Sequence, residues 1–278
     1  MVYKTPRFIK VGKRAKDDSK KISLLGITLE PNQVKGNILF LQGFSGHFED
    51  YFPHFLLSLA ETFKVEVYNY RGHLGSKGKF DVSLSSQDAE TMLEKIGAPA
   101  SLLAHSYGAN IATHMDSGNI QRTYCINPLF DSQMLPFLSR AGIRFLRAAS
   151  FVPGLLQIPD YMLDSAGLAK KAGFQNRHTL QSLASLAKLE ETEHDKPMAF
   201  ALSDSDEVLG TRNNSARYLL LMDRIKSRYR HAENRSELVR ELNHCLNLNK
   251  NDFTPFLKPE KGKDSDRIIE DIINFYLK

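Results

Sequence analysis

Apolar residues fall along this chain in two rhythms. In "RFIKVG" (7–12) and "KISLLGITLEP" (21–31) they alternate with polar ones around a polar turn, which predicts a β-hairpin. Five later runs are short and continuous: "GNILFLQG" (36–43), "KVEVYNY" (64–70), "PASLLAHS" (99–106), "RTYCINP" (122–128) and "PMAFALSD" (197–204). Runs of this length bounded by Gly, Pro, Asn or Asp predict strands covered on both faces. "SELVREL" (236–242) reads as a last strand. Helical spacing separates them. "EDYFPHFLLSLAETF" (49–63) places apolar residues at i, i+3 and i+4, "SSQDAETMLEKIG" (85–97) opens on serines and closes at Gly97, and "YGANIATHMDSG" (107–118) follows. "DSDRIIEDIINFYLK" (264–278) gathers Ile268, Ile269, Ile272, Ile273 and Tyr276 on one face. Strand and helix in alternation predict an α/β protein, a mostly parallel sheet flanked by helices.

One region breaks the alternation. From Asp131 to about Glu193 no strand pattern occurs, only apolar helical pieces such as "QMLPFLSRAGIRFLRAASF" and "NRHTLQSLASLAKLE". An insertion of this length between two strands predicts a helical cap over the carboxyl ends of the sheet. The expected organisation is therefore a core of residues 1–130 and 194–278 with a cap at 131–193.

Composition narrows the classes. The 278 residues are 42% hydrophobic and 25% charged, ordinary for a globular chain with a real core. Two cysteines, Cys125 and Cys245, make neither a disulfide framework nor a CxxC pair, and both read as small buried hydrophobes. The segment "MVYKTPRFIKVGKRAKDD" lacks an apolar core and does not read as a secretory signal, and no apolar run is long enough to span a bilayer. A cytoplasmic protein is expected. The net charge of +5 is dispersed. Its densest group, Lys10, Lys13, Arg14, Lys16, Lys20 and Lys21, reads as a solvated hairpin face and not a nucleic-acid surface, since no aromatic platform accompanies it. Weak attraction to an anionic membrane surface or an acidic metabolite stays open. No clustered metal ligands and no phosphate-binding glycine motif occur, so no metal and no cofactor are expected.

The candidate chemistry begins at "AHSYG" (104–108). Small residues two before and two after Ser106 allow a sharp strand-to-helix turn that would expose its hydroxyl and free the next backbone N–H. A helix N-cap serine would suit the same position. Taken with "FLQGFSG" (40–46), "YRGHLGSKG" (70–78) and "LSDSDEV" (202–208), the segment resembles the α/β-hydrolase fold, and "YRGHLGSKG" resembles its monoglyceride lipase and lysophospholipase-like branch. The likeness covers most of the chain in the expected order, with the insertion at 131–193 where that branch carries its cap. Departures are Ala104 for the first glycine of the turn, Gln42 where relatives often have His, Leu74 for Gly, Ser203 for Gly, and Asn243 for Gly.

The resemblance implies Ser106 as nucleophile and the amides of Phe44 and Tyr107 as an oxyanion hole. "QGFSG" also suits a flexible loop. For the acid it implies Asp206, with Asp204 two residues away and Asp131 as further candidates; each also suits an Asx turn or a helix cap. For the base the chain order leaves His244 and His231, of which His244 lies in the expected loop and His231 in a polar helical run. His105 reads as packing beside the turn, His73 as a structural turn residue, and Ser76 as a loop stabiliser. The implied activity is a serine hydrolase acting on a small-molecule carboxylic ester with an apolar acyl chain, of the monoacylglycerol or lysophospholipid kind. Leu135, Phe137, Leu138, Phe145, Leu146, Phe151, Leu155 and Leu156 give the cap apolar surface for such a chain. Acyl transfer to another acceptor, thioester cleavage, or a non-catalytic ligand-binding role are the alternatives, and the oligomeric state is not legible.

Overall fold

The computed structural model describes residues 3–14, 17–44, 48, 55–73, 75–115, 118–149, 186, 189, 197–240, 242, 244 and 264–278. The alternating segments form the hairpin of β1 (Tyr3–Arg14) and β2 (Asp17–Glu30), antiparallel with a register shift between Gly12 and Arg14. The continuous apolar runs form β3 (Asn37–Leu41), β4 (Lys64–Tyr68), β5 (Ala100–His105), β6 (Ile120–Ile126) and β7 (Met198–Ala201). With a two-residue β8 (Glu233–Asn234) they make one eight-stranded sheet in the order β1-β2-β4-β3-β5-β6-β7-β8. Pairing is antiparallel at β1/β2 and β2/β4 and parallel from β4 to β8.

The last strand differs from expectation. None of the described residues of "SELVREL" joins the sheet; residues Ser236–Leu238 form a 3-10 turn instead. The cause is local: the Asn234 side chain accepts a hydrogen bond from the Ser236 amide at 2.9 Å, an Asx turn that stops the ladder.

Helices cover both faces. α1 (Phe55–Leu59) and, at the end of the chain, α6 (Asp264–Leu277) pack on one side. Leu103, Tyr124 and Ile126 meet Phe55, Leu59, Ile268, Ile272 and Phe275 there. α2 (Val82–Ile96), α3 (Gly108–Thr113) and α5 (Ser215–Arg228) cover the other side. There Ala100, Leu102 and Ala104 meet Met92, Ala109, Ile111, Met222 and Ile225. Alternate residues of β5 thus feed two separate cores, as the two-residue period of a doubly covered strand requires. α2 starts three residues before the serines that suggested it, because Asp81 caps the Ser83 amide at 3.0 Å. On α6 the fully buried stripe is Ile268, Ile269, Ile272 and Phe275, with Ile273 and Tyr276 half-buried beside it.

After β6 the chain makes a 3-10 turn (Ser132–Met134) and then α4 (Phe137–Ala149). Most of the expected cap, including Phe151, Leu155 and Leu156, lies outside the described residues, as do the side chains of Leu138, Phe145 and Leu146. Leu135 is buried in the core, whereas Phe137 is 71% exposed. Cys125 is buried in β6, and Cys245 lies outside the described residues. Among the described residues no helix is long and apolar enough to cross a membrane.

Candidate active site

Ser106 follows β5 directly with φ of +52°, a left-handed conformation that a non-glycine residue keeps only when its surroundings impose it. Here they do. The Ser106 amide donates to Ile126 O at 3.0 Å, and its carbonyl accepts from Leu129 N at 2.9 Å and Ala109 N at 3.0 Å. Two positions on, a Cβ on Gly108 would stand 2.0 Å from Leu41 O, so the backbone of α3 passes β3 where only glycine fits. Two positions earlier the demand is milder. Ala104 pairs with Leu41 and Cys125, and its methyl is buried among apolar neighbours.

The turn carries Ser106 to His244. Ser106 Oγ lies 2.8 Å from His244 Nε2, and His244 Nδ1 lies 2.7 Å from Asp206 Oδ2. A carboxylate only accepts, so Nδ1 bears the proton and Nε2 offers its lone pair to the serine hydroxyl. Asp206 is buried; its other oxygen accepts the Leu209 amide at 2.8 Å, and its own amide donates to Thr211 Oγ1 at 2.9 Å. Burial alone would push the His244 pKa down. The Asp206 charge and hydrogen bond, with the nearby Glu207 charge, more than offset it and hold the pKa above its ordinary 6.5.

The two amides expected to bind an oxyanion are placed by this frame. Tyr107 heads α3, and its N–H has no acceptor among the described residues. Phe44 lies in the loop after β3, and a Cβ on the preceding Gly43 would lie 3.4 Å from Ser106 Cβ, so that loop lies against the serine. The side chains of Phe44 and Tyr107 belong to one aromatic cluster. The Phe44 ring meets His73, Phe80 and Tyr107 at 6.0, 5.1 and 6.2 Å, and Tyr70 meets Tyr107 at 5.6 Å, each edge to face. The Tyr70 hydroxyl donates to Gln42 O, and Gln42 Nε2 donates to Tyr68 O and Asn69 Oδ1, each at 3.1 Å. Gln42 thus anchors the loop of Gly43 and Phe44 through its side chain.

The other candidates go elsewhere. Asp204 is exposed and lines a polar surface groove with Tyr218, Ser236 and Arg240. Asp131 is buried and shared between Arg228 at 2.6 Å and Arg224 at 3.1 Å, fastening α5 to the turn that leaves β6. His231 is exposed in the turn after α5. His73 is buried in the aromatic cluster, its Nδ1–H donating to Arg71 O at 3.1 Å. Ser76 ties two segments, donating to Asn69 O and accepting from the Leu25 amide. Leu74 and Asn243 lie outside the described residues. Ser203, in the place of a glycine, uses its hydroxyl to donate to Leu242 O and to accept from the Ser205 amide. Three residues that the sequence did not single out touch the site: Asn127, Glu207 and Thr211. Asn127 and Glu207 hydrogen-bond the main chain of His244, for which no short motif exists. Among the described residues no cluster of His, Cys, Asp and Glu could hold a metal ion.

A mostly parallel, doubly covered sheet with a serine at the left-handed turn after a central strand defines the α/β-hydrolase fold. A profile of the alpha/beta hydrolase family matches residues 38–253, and the chain belongs to that family. Among solved structures it is similar to an epoxide hydrolase from Vigna radiata, at 14% identity over 98% of this chain and 97% of that one, with a TM-score of 0.63. A structure from a study of carboxylesterases of Nitrososphaera gargenis is 14% identical over 96% and 98%, with a TM-score of 0.64. A thermophilic esterase from Thermogutta terrifontis is 10% identical over 97% and 98%, also with a TM-score of 0.64. At such identities the likeness is one of fold. No curated protein matches the chain by sequence.

Proposed function

We propose that this protein is a serine hydrolase that cleaves carboxylic esters with an apolar acyl chain, by way of an acyl-enzyme. The observation that carries the reading is the unbroken run from Ser106 Oγ to His244 Nε2 at 2.8 Å and from His244 Nδ1 to Asp206 Oδ2 at 2.7 Å. A serine hydroxyl is a weak nucleophile until a base takes its proton as it attacks. In this reading His244 takes that proton when Ser106 Oγ bonds to the acyl carbon, and Asp206 stabilises the imidazolium that forms. Negative charge moves onto the carbonyl oxygen, which the Phe44 and Tyr107 amides receive. As the tetrahedral intermediate collapses, the carbon–oxygen bond to the alcohol breaks, and His244 gives the proton to the departing oxygen. Water repeats the cycle: His244 deprotonates it, it attacks the acyl carbon, and the proton returns to Ser106 Oγ as the carboxylic acid leaves.

The apolar acyl preference is supported by the resemblance of "YRGHLGSKG" to the monoglyceride lipase branch and by the apolar residues expected in the cap at 131–193. The test is a fluorophosphonate probe with wild type and Ser106→Ala, beside p-nitrophenyl esters of increasing chain length. Wild type is expected to label and Ser106→Ala not to; folded wild-type protein that fails to label refutes the hydrolase. Preference for butyrate or longer over acetate is expected, and the reverse order removes the apolar acyl chain from the proposal. Adding alcohols or thiols and measuring the share of acyl group they capture separates hydrolysis from transfer.

A further inference from the structure

His244 is held by more than Asp206. Its carbonyl oxygen accepts two hydrogen bonds, from His105 Nε2–H at 2.7 Å and from Asn127 Nδ2–H at 3.0 Å. Its amide donates to Glu207 Oε2 at 3.1 Å. His105 ends β5, and Asn127 follows β6, the strand beside it. Both are buried, at 3% and 0% exposure, where a polar atom without a partner is costly. The two donors and the one acceptor therefore satisfy each other, although 139 and 117 residues separate them along the chain.

Each donor is itself fixed. Asn127 has φ of +42°; its amide donates to Ala201 O and its Oδ1 accepts from the Ser203 amide, both at 2.8 Å. With both ends of its side chain committed, the atom facing His244 is the nitrogen. His105 faces a carbonyl oxygen, so its proton resides on Nε2. Burial, and then the neighbouring His244, pull its pKa down to about 3, so the ring stays neutral and keeps that proton. The His105 and His244 rings lie 5.1 Å apart, tilted by 46°.

We propose that His105 and Asn127 are positioning residues: together they grip the His244 carbonyl so that its ring meets Ser106 and Asp206 at once. The catalytic consequence rests on the hydrolase reading; the grip does not. An imidazole must satisfy two partners on opposite edges, and its approach is set by where its Cα stands. A main-chain displacement of about 1 Å loses on the order of 100-fold in rate by misaligning reacting groups. The grip acts on orientation, so it belongs in kcat and not in KM.

The experiment uses the full chain as wild type, His105→Phe, His105→Gln and Asn127→Asp. His105→Phe keeps the bulk and removes the donor, and His105→Gln restores an N–H donor. Asn127→Asp keeps the shape and tolerates the left-handed backbone. Two readouts are taken on folded protein: kcat and KM for p-nitrophenyl butyrate, and the downfield proton resonance of the His244–Asp206 hydrogen bond. His105→Phe and Asn127→Asp are expected to lose about 10- to 100-fold in kcat with KM within about twofold, and to lose or broaden the resonance. His105→Gln is expected to recover kcat to within about fivefold of wild type. Wild-type kcat and an intact resonance in both donor-removed variants overturn the proposal, even where their melting temperatures fall. If wild type neither turns over ester nor reacts with fluorophosphonate, the hydrolase reading has failed. The resonance alone then decides the grip: its loss in His105→Phe supports it and its persistence rejects it.

Discussion

The serine turn and the histidine segment present two atoms to each other across 2.8 Å, but opposite means build them. The turn is one continuous piece of chain, Leu102 to Ile111, buried throughout and shaped by contacts between backbones. The histidine segment is held at single points by polar side chains from distant parts of the sequence. Ser203 holds the Leu242 carbonyl, His105 and Asn127 the His244 carbonyl, Glu207 the His244 amide, and Asp206 the ring. Damage to the turn is therefore expected as lost stability. Damage to the histidine segment is expected as lost rate in a protein that still folds.

The sharpest test of that contrast is His244→Ala, which removes the proposed base and leaves the turn intact. Its kcat is expected to fall by about 10⁴- to 10⁶-fold with an unchanged circular dichroism spectrum, while His231→Ala keeps wild-type activity. Loss of activity in His231→Ala alone would reverse the assignment.

Asp206→Asn comes next, with an expected loss of about 10³- to 10⁴-fold, against less than about twofold for the exposed Asp204→Asn. A pH profile sharpens it. In the proposed mechanism His244 must be neutral to act as a base, so kcat/KM of the wild type is expected to fall as pH drops through a pKa held above 6.5. Removing the Asp206 charge lets burial dominate, so the acid limb of Asp206→Asn moves to lower pH. A limb that stays in place in Asp206→Asn assigns the titration to another group.

Gly108→Ala tests the other side of the comparison. Its Cβ would meet Leu41 O at 2.0 Å, which only movement of the backbone can relieve. A loss of about 3 kcal/mol in urea unfolding is expected. Wild-type stability there would mean that the turn has slack. The smallest effect is expected for Tyr70→Phe, which frees Gln42 O without touching Ser106. Loss of one hydrogen bond to the donor loop predicts about a 10-fold fall in kcat, checked with the same ester. No change would show that the aromatic packing alone holds that loop.

The same contrast explains what could be read from the sequence. The turn was legible because its requirements are local: a strand, a serine, small residues at fixed offsets, then a helix. The parallel sheet was legible from continuous apolar runs, and the hairpin from alternation. The end of the sheet was not. "SELVREL" alternates well enough for a strand, but Asn234 turns the chain first, and a single side-chain hydrogen bond leaves no periodic trace. Asn127 was invisible for a related reason. It looks like an ordinary strand-ending Asn-Pro pair, and only the folded chain reveals that its amide reaches a residue 117 positions away. The choice of Asp206 over Asp204 was open because a two-residue slip costs nothing in one dimension. In three dimensions it separates a buried carboxylate from an exposed one.

The two small residues flanking Ser106 also carry unequal information for anyone scanning genomes for such turns. Position 104 faces packed side chains with room for a methyl, whereas position 108 faces a carbonyl oxygen with room for nothing. A search that demands glycine at both discards proteins like this one, while one that relaxes both admits chains that cannot make the turn. The discriminating letter is the second glycine.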